Sequence, residues 1–204
     1  MKKKLFLPIA AITFAAVFSN GCNNDKAASN APAVKGDTVS TAVVTNPNVS
    51  LAPVEYSELS EKSLQLLANQ DYDAWANMLA DDIVYAYPDG DMDTRTKITG
   101  KDAVVNWWKK SKESGMESMT LTDFNHTPIN AIRQLKAGAP TGIYDIVYFT
   151  NKMIIHGKPL SIRMNFSVHF NADKKIDRYY GYYDRSAIIN ATGKNALNDL
   201  KPKK

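Results

Sequence analysis

The chain has 204 residues, 44% of them hydrophobic, with 25 Lys and Arg against 21 Asp and Glu. That is enough apolar material for one domain with its own core, and the near balance of charge, without a clustered basic stripe, excludes the phosphate-neutralising surface on which nucleic-acid binding depends. One cysteine, Cys22, and three scattered histidines, His126, His156 and His169, exclude a disulfide framework and show no metal-ligand spacing, so no metal or cofactor is expected.

At the start of the chain, Lys2, Lys3 and Lys4 precede a short apolar run from Leu5 to Phe18, and Ser19-Asn20-Gly21 leads directly to Cys22. The run is too short to span a bilayer as a helix and reads as a cleaved signal over residues 1–21. A lone thiol at that junction reads as the attachment point of a bacterial lipoprotein. The expectation is a mature chain beginning at Cys22, anchored by lipid to a membrane of the bacterial cell envelope and facing the periplasm or the exterior. Losing the three lysines with the signal lowers the basic count from 25 to 22, close to the 21 acidic residues. Asn23 to about Pro53 is rich in Asn, Ala, Ser, Thr, Val and Pro without periodicity, so residues 22–53 are expected to form a lipidated, flexible tether.

The folded domain is expected over residues 54–190. Tyr56, Leu59, Ser63, Leu66 and Leu67 recur at helical spacing and predict a first amphipathic helix ending near Asn69. Asp71 is placed to N-cap a second, short helix carrying Trp75, Met78 and Leu79 inward. Ile83 to Tyr87 reads as a strand stopped by the turn Pro88-Asp89-Gly90. Thr99 to Asp102 has the form of a capping box, and opens a third helix with Val104, Trp107, Trp108 and Ser111 on one side.

Beyond Gly115 the period changes to two. Met119 to Phe124 and the stretch around Ile129 to Leu135 read as one or two strands, and a long strand is predicted from Ile143 to Ile155. The clearest runs from Leu160 to Phe170, where apolar residues alternate with Ser161, Arg163, Asn165, Ser167 and His169. A last, tyrosine-rich strand spans Ile176 to Asp184, and residues 191–204 read as a basic disordered tail. The fold class is therefore α+β: three N-terminal helices packed on a curved, mainly antiparallel sheet.

Several short stretches together resemble the nuclear-transport-factor-2-like (NTF2-like) superfamily, and within it the SnoaL-like group. They are Asp73-Ala-Trp75 with Leu79-Ala-Asp81-Asp82, Tyr87-Pro88-Asp89-Gly90, Gly100-Lys-Asp-Ala-Val104, and Lys175-Ile176 followed by Tyr182-Tyr183-Asp184. The resemblance covers essentially the whole domain and implies a cone-shaped fold, one that hosts isomerases, cyclases and epoxide hydrolases, so it does not name a reaction. Where limonene-epoxide-hydrolase-like members carry a carboxylate in the last strand, this chain has Gly181, and it contains no Arg-x-Asp. Epoxide opening by that machinery is not implied.

Three functional readings stand side by side. The first is a membrane-tethered domain that binds a small hydrophobic or amphipathic molecule, its pocket lined by Tyr85, Tyr87, Trp108, Met164, Phe166, Tyr179 and Tyr183, with Phe124, Tyr148, Tyr180 and Tyr182 in the same elements. The second is an isomerase- or cyclase-type enzyme using a buried carboxylate base and a tyrosine donor. By strand parity Asp177 would share the inward face of Tyr179 and Tyr183 and is the weak catalytic candidate; behind it, by elimination, come Asp145, for which an exposed strand face is the alternative, and Asp89, in a turn. The third is an assembly module in which Arg163, Asn165, Ser167 and His169 form a homodimer contact.

Overall fold

The computed structural model describes residues 48–91, 93–134 and 138–200. Cys22, the signal and the tether as far as residue 47 lie outside the described residues. The elements run β1 (Val49–Leu51), α1 (Glu55–Ala68), α2 (Tyr72–Ala76), β2 (Leu79–Ala86), β3 (Lys97–Thr99), α3 (Lys101–Glu113), β4 (Met116–Ala131), β5 (Gly142–Ile155), β6 (Lys158–Phe170), β7 (Ile176–Tyr182) and α4 (Ser186–Thr192), followed by a 3-10 turn at Ala196–Leu200. The strands form one sheet in the order β1-β4-β5-β6-β7-β2-β3. β4 to β7 make an antiparallel meander, and β2 joins it by pairing parallel with β7. This is the α+β architecture expected from the sequence.

Alternation along the long strands decides which face the helices cover. Val147, Phe149 and Met153 of β5, Met164, Phe166 and Val168 of β6, and Tyr179 of β7 are buried in one core with Leu64 and Leu67 of α1, Trp75 of α2 and Val104 of α3. Buried apolar area of this kind is the main stabilising term, about 25 cal/mol per Å². Helix α1 turns Ser57, Ser60 and Ser63 toward the sheet, all buried, and these short side chains sit at the i, i+3 spacing of one helix face. Asp71 caps α2 as expected, its carboxylate accepting from the Ala74 amide.

Three local expectations are corrected and one alternative is settled. Thr99 is not an N-cap, because it is held in β3 opposite Val84. The cap of α3 is Gly100, at φ 93°, whose amide donates to the Ile83 carbonyl. Where one or two strands were expected across Phe124 and Ile129 the structure has one, β4, with an irregularity between Thr122 and Asn125. The expected tether has Val49–Leu51 paired to Ile129–Ala131 as an edge strand. The expected disordered tail is structured as far as Leu200: Gly193 ends α4 in the left-handed conformation, and Leu197 is anchored in the core at 3% exposure. Its lysines masked the apolar spacing of Ala196, Leu197 and Leu200.

Candidate functional site

A cavity of about 90 Å³ lies between α1, α3 and the inner face of the sheet. Each element brings residues whose inward parity is set by its own period. Helix α1 contributes Leu64, Leu67 and Ala68, α3 contributes Trp108, and β2 contributes Tyr85. The strands β4, β5 and β6 bring Met119 and Leu121, then Phe149, Asn151 and Met153, then Met164 and Phe166. Tyr183 and Ile188 of α4 close one side.

The walls are almost entirely apolar, yet three buried polar atoms at them have no hydrogen-bond partner: the Tyr85 hydroxyl, the Trp108 Nε1 and the Asn151 Oδ1. Buried polar groups are nearly always paired, and leaving one unpaired costs about 1–3 kcal/mol, so these three atoms keep unused hydrogen-bonding capacity around one small space. Burial, followed by the neighbouring Tyr87, holds the Tyr85 phenol well above its ordinary range, and burial pushes Tyr183 up to about 12. Both stay neutral at physiological pH and act as hydrogen-bonding groups.

Of the seven residues expected to line the pocket, Tyr85, Trp108, Met164, Phe166 and Tyr183 do so. Tyr179 and Tyr87 are buried but do not. Tyr179 is tied to the helices through Ser63 Oγ at 2.6 Å and Trp75 Nε1 at 3.4 Å, and Tyr87 packs edge-on against Trp107. Tyr148, Tyr180 and Tyr182 lie on the opposite face of the sheet or at its surface. Asn151 was missed, although its signal was present: a polar residue in phase with Val147, Phe149, Met153 and Ile155.

The carboxylates sort differently from expectation. Asp177 does not face the cavity. Ile176 pairs with Phe170 and Arg178 with His169, so Asp177 is the extra residue of a bulge. The bulge breaks the parity with Tyr179 and turns the carboxylate to His169 Nδ1, with Arg178 beside it. Asp145 is not on an exposed face. It is fully buried against α1, accepting from His126 Nδ1 at 2.8 Å and from Ser57 Oγ at 3.4 Å, while His126 Nε2 reaches Glu61 at 3.2 Å. Asp89 is a loop brace, bonded to the amide and hydroxyl of Thr96. At Gly181 a Cβ would meet the rings of Phe166 and Tyr183 at 3.3 Å, so the room a last-strand carboxylate would need is taken by two cavity walls.

No family model and no curated protein matches the chain. Solved structures do. A Bacillus subtilis protein provisionally named an isomerase matches with a TM-score of 0.53 at 17% identity, over 69% of this chain and 94% of that one. A Xanthomonas campestris protein provisionally named a polyketide cyclase matches with a TM-score of 0.51 at 14% identity, over 67% and 96%. An NTF2-like protein from Anabaena variabilis matches with a TM-score of 0.48 at 17% identity, over 66% and 93%. At these identities the likeness is one of fold.

Proposed function

We propose that this chain, whose fold is the NTF2-like, SnoaL-like one, is a small-molecule-binding protein tethered to a cell-envelope membrane through lipid on Cys22. The observation that carries the binding reading is the set of unpartnered Tyr85, Trp108 and Asn151 atoms around one apolar cavity. Two donors, an indole N–H and a phenol, and one amide acceptor suit a neutral ligand with an apolar body and one or two oxygen or nitrogen groups. A volume of about 90 Å³ corresponds to about three waters at liquid density. A larger ligand gains room by displacing Ile188, since α4 has no buried residue holding it down.

Native mass spectrometry of the protein purified from its own host tests this. A small molecule retained at one per chain, and lost in Tyr85→Phe/Asn151→Leu, is the expected result. A chain that carries nothing and binds no small polar aromatic in solution would overturn it.

A second reading is an isomerase- or cyclase-type reaction, the kind for which the Bacillus and Xanthomonas proteins are named. What favours it is Asp145, a fully buried carboxylate paired with an imidazole. Its partners are Ser57 and His126, not a tyrosine, and it does not line the cavity, so binding without turnover is the better-supported reading. Turnover of a retained ligand that disappears in Asp145→Asn while the ligand still binds would reverse that order.

A further inference from the structure

A second, larger cavity of about 420 Å³ lies on the other face of the sheet and shares no lining residue with the first. Both edge strands reach it, β1 through Val49 and β3 through Lys97. Its walls are aromatic and aliphatic: Tyr144, Tyr180 and Tyr182 stand over Ile129 and Ile146. Among the described residues its charged groups are mostly cationic, Arg95, Lys97 and Arg133 against the carboxylate of Asp93.

Arg95 is the informative one, because it is only 7% exposed. Its Nε donates to the Tyr87 carbonyl at 2.8 Å, its Nη2 to the carbonyls of Ala86 and Gly181, and its Nη1 to the Tyr182 hydroxyl at 3.2 Å. The guanidinium carbon lies 4.9 Å from the Tyr182 ring centre and 5.8 Å from that of Tyr180. Those four acceptors are neutral oxygens. They satisfy most of the five N–H groups without neutralising the charge, and a buried cation is best stabilised by an anion within reach. Lys97 and Arg133, both exposed at the rim, add positive potential at the mouth.

We propose that this outer cavity binds an amphipathic organic anion, a carboxylate on a planar aromatic or apolar body. The body lies among the tyrosines and isoleucines and the carboxylate is directed to the Arg95, Lys97 and Arg133 side. Aromatic walls favour a flat body, and the cationic groups select a charged ligand over its neutral isostere.

The test uses the purified protein labelled at the isoleucine and methionine methyls and titrated by NMR with 2-naphthoate and, separately, with 2-naphthalenemethanol. The expected result is that naphthoate shifts the Ile129 and Ile146 methyls and leaves those of Met153 and Met164 in place. The alcohol should bind about tenfold more weakly or worse, and Lys97→Glu/Arg133→Glu, two changes at exposed positions, should weaken naphthoate about tenfold. Added salt should weaken it further. Equal binding of acid and alcohol, insensitivity to the charge reversals, shifts confined to the methionines, or no shift up to the solubility limit would each overturn the proposal. So would a dimer by sedimentation that buries Ile129 and Ile146 and excludes naphthoate, which would assign this face to a second copy of the chain. Because the two cavities report through different methyls, failure here leaves the inner-cavity reading standing.

Discussion

The hydroxyl of Tyr179 and the Oγ of Ser63 meet at 2.6 Å across the interface between sheet and helix α1. This bond, together with the Trp75 indole at 3.4 Å on the same phenol oxygen, turns one tyrosine of the inner face into a structural clamp. Tyr85, whose ring centre is 5.3 Å from that of Tyr179, keeps its own hydroxyl unpartnered. Two neighbouring phenols in one core thus divide into a structural one and one that lines the cavity without a partner.

Tyr179→Phe should therefore destabilise the protein. It strips a partner from two buried polar groups, the Ser63 hydroxyl and the Trp75 indole, a loss of about 1–3 kcal/mol. Thermal unfolding should register it as a drop of about 2–4 °C per kcal/mol for a domain of this size. Affinity for the retained ligand should change little.

Tyr85→Phe and Asn151→Leu should behave in the opposite way. Each removes a buried oxygen that has no partner, and Asn151→Leu gives up beside it only the weak Nδ2 bond to Met164 Sδ, so the melting temperature should change little, while ligand affinity falls about tenfold for each lost hydrogen bond. Measuring stability and binding on the same samples separates the two classes, and a large loss of stability in Tyr85→Phe would place its hydroxyl among the structural ones.

Alkaline stability follows from the buried phenols. Burial raises Tyr179 and Tyr183 to about 12 from an ordinary 10.0 and lifts Tyr85 well above it. Between those limits the native chain retains protons that the unfolded chain releases, so their contribution to stability is complete below pH 10 and declines as the pH rises toward 12. Denaturant midpoints taken from pH 8 to 12 should fall only above about pH 10, and tyrosinate absorbance of these residues should appear together with unfolding.

Lipid attachment at Cys22 gives a direct test of the tethering proposal. The wild-type protein should partition into the detergent phase and Cys22→Ser should move to the aqueous phase, with no change in the folded domain. Equal partitioning of the two would rule out the anchor.

Much of the fold was legible because the longest elements have a clean period. From Leu160 to Phe170 the side chains alternate without interruption, and β6 follows that pattern over Lys158–Phe170. The Asp71 cap was legible for a similar reason, since a helix start is a local event. What escaped was set by distant partners. Asp177 took its direction from a bulge, which inserts one residue and reverses parity without a mark in the sequence. Asp145 is buried because α1 arrives with Ser57, and because His126 comes from a strand nineteen positions earlier. At the inner cavity the aromatic residues were visible as a set. Their division into packed and cavity-lining members depended on which hydroxyl found Ser63.

The parallel pairing of β2 with β7 has a consequence for how the chain acquires its cavity. Tyr85 is paired with Tyr179 across it, so a wall of the cavity from the early part of the domain is held in place by a strand that comes more than ninety residues later. The intervening meander can zip strand by strand, and α3 can pack on β2 early, but the β2–β7 edge stays unpaired until β7 has been delivered. Closing so long a loop is slow and pays its entropy before any contact rewards it. The wall that carries Tyr85 is thus among the last parts of the sheet to be fixed, and the cavity takes its final form only when β7 has docked beside it.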